Sequence, residues 1–474
     1  MLIIADLIIT TMLPEAFRKR IQLQPYIDPE ELLKSINGPS PVSVRVNVVK
    51  WAHSPLHSEP VPWCRSGYYL PERPSFTTDP LFHAGCYYPQ EASSMFMEQV
   101  VFQISANNEN LRVLDLCGAP GGKSTHLSSL IGSKGFLVSN EVIRQRAMVL
   151  NENLTKWGLS NFIISQSDPS AFSRLPGFFD IILVDAPCSG EGMFRDPVAR
   201  TEWSVENAAL CSVRQKRILM DVWPSLKEDG ILIYSTCTFN PEENEKNIKW
   251  LTSRQEAETI RLNISGYEGI TEIDHEGVYG YGFYPGKIRG EGLFVAVLRK
   301  KGKSIRPSAR SRRGAEQKIT REEKRVSGEW TDFPEERLIK FGDDILATGC
   351  DHGDFQTLSS ALKIISAGTR IFTVKKKNYL PSHDISMSVR LKKNKFPSNE
   401  LCLSDALSYL RKDNFNVKLA EKGWNLITYK GINLGFVNNI GTRFNNYYPV
   451  EWRIRIRITG KDSESIIKWI STNK

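Results

Sequence analysis

No two cysteines in this chain are separated by only two residues, although there are eight of them: Cys64, Cys86, Cys117, Cys188, Cys211, Cys237, Cys350 and Cys402. Such scatter excludes a zinc ribbon and the framework of a disulfide-stapled secreted domain. Reduced thiols in a cytoplasmic protein are expected, with no metal. Long hydrophobic runs are missing too. The opening "MLIIADLIITTM" is apolar but short, lacks a basic leader and is broken by Asp6, so it reads as neither a membrane span nor a signal peptide. Met12-Leu13-Pro14 is the more natural beginning, and residues 1–11 read as an upstream in-frame extension. There is no internal repeat. Nor is positive charge spread over the chain. The formal net charge is +9, and the segment from Arg299 to Arg325, with 12 Lys/Arg against 3 Glu, carries all of it. That segment reads as a basic linker able to meet a polyanion.

A length of 474 residues exceeds what one core organises, so about two to four domains are expected. "RVLDL" (112–116), "GFLVSNE" (135–141), "NFIISQSD" (161–168), "FDIILVDAP" (179–187) and "GILIYSTC" (230–237) are apolar runs of strand length, the kind buried on both faces of a parallel sheet. Helical periodicity lies between them over Lys123–Ile131, Ile143–Gly158 and Val205–Lys227. In the last, Leu210, Val213, Ile218, Val222 and Leu226 trace the expected core stripe. Two closing runs, 279–285 and 292–300, suit an antiparallel pair at the edge. The expected fold is α/β, a doubly wound, mostly parallel sheet with an antiparallel edge. Before it, 13–100 read as a small α+β domain. This α/β domain spans 101–302, the basic linker 303–333 and a small intermediate domain 334–395. A β-rich region follows over 396–474, where "WRIRIRITG" (452–460) alternates Arg453, Arg455 and Arg457 with isoleucines as a strand would.

The first strand runs into "DLCGAPGGKSTHL". A glycine-rich turn from strand to helix lets backbone approach a ligand at the carboxyl edge of the sheet. The competitor is a triphosphate-binding loop, G-x-x-x-x-G-K-[ST]. Here the position five before Gly122 is Cys117, Gly118 comes one residue too late, and Pro120 removes an amide. An adenosine ligand without phosphates fits better. Glu141 ends the second strand, where a carboxylate can accept from ribose hydroxyls. Asp168 ends the third, placed for an adenine amino group, and Asp185 ends the fourth. Three acids suit the cationic S-adenosyl-L-methionine and would repel a phosphate, although each alone could be a helix cap.

Cys188 and Cys237 each stand just beyond a strand end and enter a turn. A thiolate that adds to carbon-6 of a cytosine turns carbon-5 into a nucleophile for a sulfonium methyl group. An acid near the Watson–Crick edge, such as Asp185, would bind the exocyclic amine. A single strand-end cysteine is more often a small buried apolar residue; two on successive strands favour chemistry. An exocyclic-amine enzyme would carry Asn/Asp-Pro-Pro-aromatic where this chain has "DAPC", and a DNA cytosine-5 enzyme would use the Pro-Cys cysteine alone.

"DLCGAPGGK", "DAPCSGEGMF" and "STCTFNPEENE", with the upstream "SVRVN" (43–47) and "GCYYPQEASSM" (85–95), closely resemble the Sun/nucleolar-antigen family of RNA cytosine-5 methyltransferases. The C-terminal "GTRFNNYYPVEWRIR" (441–455) resembles its RsmF-like branch, which modifies 16S ribosomal RNA. The resemblance implies a Rossmann-like methyltransferase core and a PUA-like RNA-binding domain at the C-terminus. It makes Cys237 the nucleophile and Cys188 the residue that assists product release, a ranking the residues alone leave open. It gives the cofactor Cys117, Gly118, Ala119, Pro120, Gly121, Gly122, Lys123, Glu141, Asp168 and Asp185. Glu242, Glu243 and Asn244 are expected to cap the following helix. One departure is visible: relatives of this branch often read Phe-Arg-Lys-Asp-Pro, whereas Phe194-Arg195 here runs directly into Asp196-Pro197. The partner implied is RNA, 16S ribosomal RNA or transfer RNA, held by Arg45, Arg195, the 299–325 segment, Lys375–Lys377 and the Arg453/Arg455/Arg457 row. A monomer is expected. The other reading is a non-catalytic RNA-binding assembly protein.

Overall fold

The computed structural model describes residues 12–105, 109–303, 318–376, 378–415, 417, 419, 421–458 and 465–471. The extension suspected at 1–11 lies outside them. The N-terminal part opens with helices α1 (Glu15–Ile21) and α2 (Pro29–Ile36). Asp28 caps α2 by accepting from the Glu31 amide, and Pro29 sits in the first turn, where no amide is needed. An antiparallel sheet follows, with β1 (Val42–Val46) between β2 (Gly67–Leu70) and β3 (Tyr87–Pro89).

Arg45, expected to meet RNA, is instead buried, only 1% exposed. Its guanidinium donates to Gln90 Oε1 (2.8 Å), to Thr125 Oγ1 (2.6 Å) and to the Gly122 carbonyl (3.3 Å), and stacks 4.4 Å over Trp157. Burial lowers its pKa to about 10, so it stays charged at neutral pH. The "SVRVN" run thus clamps the N-terminal sheet onto the helix that follows the glycine turn. Arg45→Met strands buried acceptors and should destabilise the protein by about 2–4 kcal/mol in a denaturant titration. It should leave the salt dependence of RNA binding unchanged. A steep loss of that salt dependence would return Arg45 to the RNA surface.

The central sheet contains β4 (Arg112–Asp115), β5 (Phe136–Asn140), β6 (Phe162–Ser165), β7 (Phe179–Asp185) and β8 (Leu226–Thr236) in parallel, in spatial order β8-β7-β4-β5-β6. Order reverses between β4 and β7, and at such a switch point the two loops diverge to leave a crevice at the carboxyl edge. The connecting helices are α3 (Gly122–Leu130), α4 (Arg144–Trp157), which stops at Gly158 in the left-handed region (φ 84°), and α5 (Val205–Val222), capped by Ser204. Val113, Leu137 and Ile181 face one hydrophobic core while Leu114, Val138 and Ile182 face the other, so both faces are covered, as the unbroken apolar runs require.

The stripe on α5 differs from expectation. Leu210 and Val213 are 64% and 66% exposed, while Ser212 and Gln215 are buried beside Cys211, Ile218 and Leu219. The helix turns polar side chains inward because their partners lie at the strand ends, as the site shows. Past β8 come α6 (Glu245–Arg254), then β9 (Thr271–His275), β10 (Val278–Phe283) and β11 (Leu293–Lys300), which extend the sheet by antiparallel pairs, β11 on β8, β10 on β11 and β9 on β10.

Residues 304–317 of the basic stretch are outside the described residues. The rest of the expected linker is not free chain: α7 (Arg321–Trp330) opens with a Thr320/Glu323 capping box and buries Val326 and Trp330, the latter edge-on to Phe372 and Phe396. The following region also contributes β12 (Ile364–Ala367), which pairs antiparallel with β6 and makes a second antiparallel edge. At the C-terminus, α8 (Leu403–Arg411) packs with the hairpin β13 (Gly423–Tyr429) and β14 (Ile432–Asn439). Leu407, Tyr409 and Ile427 share a core with Val44 and Tyr87 of the N-terminal part. The 452–458 run is not a strand: Ile454 is buried but Ile456 is exposed, while Arg453, Arg455 and Arg457 face solvent. Among the described residues no helix is long and apolar enough to cross a membrane.

Candidate active site

The turn after β4 has little freedom. Gly118 donates its amide to the Asn140 carbonyl at the end of β5 (2.8 Å), and a Cβ there would sit 2.3 Å from Ser139 Oγ. Gly121 adopts φ 121°, which side-chain-bearing residues rarely reach, and Gly122 starts α3. Helix α4 holds the turn from outside, Arg146 donating to the Ala119 carbonyl (2.9 Å) and Asn153 to that of Pro120 (2.7 Å). Cys117 lies inside this turn, where burial, then Asp115, Asp185 and Glu141, push its thiol far up, so it is an inert wall rather than a nucleophile.

The acids at the strand ends divide. Asp115 is fully buried: Oδ2 accepts from Ser124 Oγ (2.6 Å), Oδ1 has no partner, and burial pushes its carboxyl up to about 7. Glu141 is buried, accepts from the Ile143 amide (3.0 Å) and lies 3.4 Å from Arg146. Asp185 accepts from Ser235 Oγ (2.7 Å) and from Lys123 Nζ (2.8 Å). Burial alone would lower the Lys123 ammonium's pKa; Asp185, with Cys237 and Asp115, outweighs it and raises it. Lys123 is therefore held against a carboxylate rather than aimed at a phosphate. Asp168 behaves differently: it is exposed, caps a short turn by accepting from the Ser170 amide and hydroxyl, and lies 3.3 Å from Arg217.

The two cysteines come together through sheet register. β7 and β8 are parallel neighbours with Asp185 opposite Ser235, so the chain leaves both strands at the same level. Cys237 Sγ and Cys188 Sγ lie 3.1 Å apart, both partly accessible. The contact with Cys237, then burial, drives the Cys188 thiol well above its usual range. The turn after Cys188 passes so close to Cys237 that Gly192 donates to the Cys237 carbonyl (2.9 Å), and a Cβ at Gly192 would meet that oxygen at 2.9 Å and the Gly292 carbonyl at 2.6 Å.

The expected caps of α6 do other work. Asn244 makes no capping bond; it accepts from Thr236 Oγ1 (2.6 Å) and donates to the Thr238 carbonyl (2.9 Å), bracing the segment that carries Cys237. Glu243 turns inward, as does Glu191 after Cys188; both are fully buried. Sequence reasoning missed Glu191, Gln215 and Trp203. The available signal was an acid inside the Gly-rich "CSGEG", a stretch too closely packed to leave it in water.

Family models for the N-terminal domain of the 16S rRNA methyltransferase RsmF, for the 16S rRNA methyltransferase RsmB/F and for the RsmF PUA domain match residues 13–92, 102–299 and 396–454. The Ribosomal RNA small subunit methyltransferase F of Aliivibrio fischeri is 30% identical over 468 residues, 93% of this chain and 97% of that protein. The chain belongs to the RsmF family of methyltransferases. A methyltransferase homolog from Pyrococcus horikoshii (27% identical, TM-score 0.51) covers 62% of this chain and 98% of its own. NSun6 from the same organism, determined with SFG, shares the fold (21%, TM-score 0.50, 61% and 99% covered).

For an RsmF-family methyltransferase the cofactor is S-adenosyl-L-methionine. The residues present fit it. The unpartnered Asp115 Oδ1 and the buried Glu141 are acceptors beside a turn whose glycines admit close approach, and among the described residues Lys123 and Arg146, the cations beside these acids, are each paired with one of them rather than left to favour a phosphate. The C-terminal region is an RsmF PUA domain. Arg195, in the Phe194-Arg195-Asp196-Pro197 stretch where this chain is shorter than its relatives, is not free for RNA: its largely buried guanidinium pairs with Glu291 (2.8 Å) and donates to the carbonyls of Ser35 (3.1 Å) and Gly290 (2.9 Å). Lys375 and Lys376 are exposed, and Lys377 is outside the described residues.

Proposed function

We propose that this chain methylates carbon-5 of a cytosine in 16S ribosomal RNA through a transient bond from Cys237 to carbon-6. The observation that carries the reading is the pair of sulfurs 3.1 Å apart beside the Lys123–Asp185 pair at the switch-point crevice. Lone structural cysteines have no reason to meet there; an addition and an elimination on the two faces of one bond require two acid–base groups within reach of one base. Cys237 occupies the place in "STC" that carries the nucleophile in the family the chain resembles, which supports giving it the attack. Addition of the Cys237 thiolate makes carbon-5 an enamine carbon. When bound, S-adenosyl-L-methionine supplies the electrophilic methyl group. Asp185 accepts the exocyclic amine of the cytosine and favours protonation at N3, with Lys123 holding the carboxylate in place. Cys188 assists loss of the carbon-5 proton, and the electrons of that C–H bond restore the ring as Cys237 leaves.

The target base must be single-stranded or drawn out of its stack. The flanking RNA is held by the PUA surface, where Arg453, Arg455 and Arg457 are solvent-facing, and by Lys375 and Lys376. The enzyme acts as a monomer in the cytoplasm, where small subunits assemble. The test is methyl transfer to purified small ribosomal subunits and to transfer RNA, followed by bisulfite sequencing. 5-Methylcytosine in 16S RNA is expected. Label confined to transfer RNA would overturn the substrate, label on an exocyclic nitrogen the chemistry, and no incorporation at all the assignment as an enzyme.

A further inference from the structure

Each cysteine-bearing turn is held by a buried carboxylate that belongs to the other turn. Glu243, six residues after Cys237, reaches across to the Cys188 side: Oε2 accepts from the Ser189 amide (2.9 Å) and from Gln215 Nε2 (2.9 Å), and Oε1 accepts from Ser189 Oγ (2.5 Å). Gln215 in turn donates to the Pro187 carbonyl (3.0 Å), so residues 187 and 189 are tied on either side of Cys188. Glu191, three residues after Cys188, reaches the opposite way: Oε2 accepts from the Phe239 amide (3.2 Å) and from Arg20 (2.6 Å), and Oε1 accepts from Trp203 Nε1 (3.0 Å). A buried carboxylate is costly unless every lone pair finds a donor, and an apolar side chain would be the cheaper way to fill either space. What the carboxylates secure is position. We infer that Glu243 and Glu191 are reciprocal positioning residues, Glu243 placing Cys188 for product release and Glu191 placing Cys237 for addition.

The inference rests on the two-cysteine reading above and divides it by step. Neither acid touches a sulfur through a hydrogen bond, so neither is catalytic. None of Glu243's side-chain bonds goes to residues 235–239, and none of Glu191's goes to residues 187–189. Loss of one clamp should therefore slow one step. A displacement of about 1 Å in a reacting group costs on the order of 100-fold.

The experiment uses the full chain with purified small subunits, measuring single-turnover methyl transfer, multiple turnover, and covalent RNA adduct on denaturing gels. Glu243→Ala should keep single-turnover transfer within about threefold, lose about 100-fold in multiple turnover and accumulate adduct. Glu243→Gln should restore release, because its oxygen can serve the two N–H donors while its amino group donates to Ser189 Oγ, a hydroxyl that can turn toward Thr238 Oγ1 2.9 Å away. Glu191→Gln should not be tolerated in the same way. All its partners are N–H donors, so an amide nitrogen must face one of them. It should slow single-turnover transfer by about 100-fold with no adduct. Loss of the same step in both variants, or adduct unchanged in Glu243→Ala and not corrected by Glu243→Gln, would overturn the inference. Should Glu243→Ala not fold, Ser189→Ala removes one of the three bonds and should give a smaller adduct excess; none would count equally against it. Wild type without 5-methylcytosine, or Cys188→Ala without adduct, would instead defeat the two-cysteine reading itself.

Discussion

Cys237→Ala is expected to abolish methylation, by roughly a thousandfold or more, while cofactor affinity stays within about twofold of wild type. Without the sulfur, carbon-5 of cytosine is not nucleophilic enough to take a methyl group, and neither the Lys123–Asp185 pair nor the glycine turn can substitute for a covalent bond. Affinity should survive because the turn is held by Asn140, Arg146 and Asn153, none of which depends on Cys237. The change is sterically mild, from a partly accessible thiol to a methyl group, so the melting temperature should barely move. Methyl incorporation from labelled cofactor and equilibrium dialysis check the two halves separately. Retained turnover would mean that the nucleophile is Cys188.

Cys188→Ala should fail at the opposite end of the reaction. On the proposed roles, Cys237 is the only one of the two cysteines that addition and methyl transfer require, so the first turnover should proceed. Elimination then stalls, because the group 3.1 Å from the attacking sulfur is gone. RNA should migrate slowly on a denaturing gel in near-stoichiometric amount, and protease should release it. Multiple turnover should fall by about a hundredfold or more. Free RNA with no slow species would remove Cys188 from the release step. The two variants together discriminate well: one gives no methyl group and no adduct, the other gives both in a single round.

Burial decided which basic residues were misread. Arg45 and Arg195 look, as residue types, like groups that meet phosphate. The structure buries the side chains of both, one on Trp157 and the other on Glu291. Charge in a sequence says nothing about whether a distant carbonyl or carboxylate awaits it. The same limit applies to α5, where counting apolar residues selected Leu210 and Val213 as core, although Gln215 was the residue that had to face inward to reach Glu243.

The five parallel strands, the glycine turn and the strand-end positions of Cys188 and Cys237 could all be determined from the sequence by itself. Each follows from a local requirement: a strand covered on both faces needs an unbroken apolar run, and a turn at φ 121° needs glycine. Tertiary structure alone decided that the sulfurs touch, that β12 closes the far edge of the sheet from nearly 200 residues downstream, and that Glu191 and Glu243 cross between the turns. Those are pairings between segments remote in the chain, and their strength lies in desolvated hydrogen bonds that exist only once the core has excluded water.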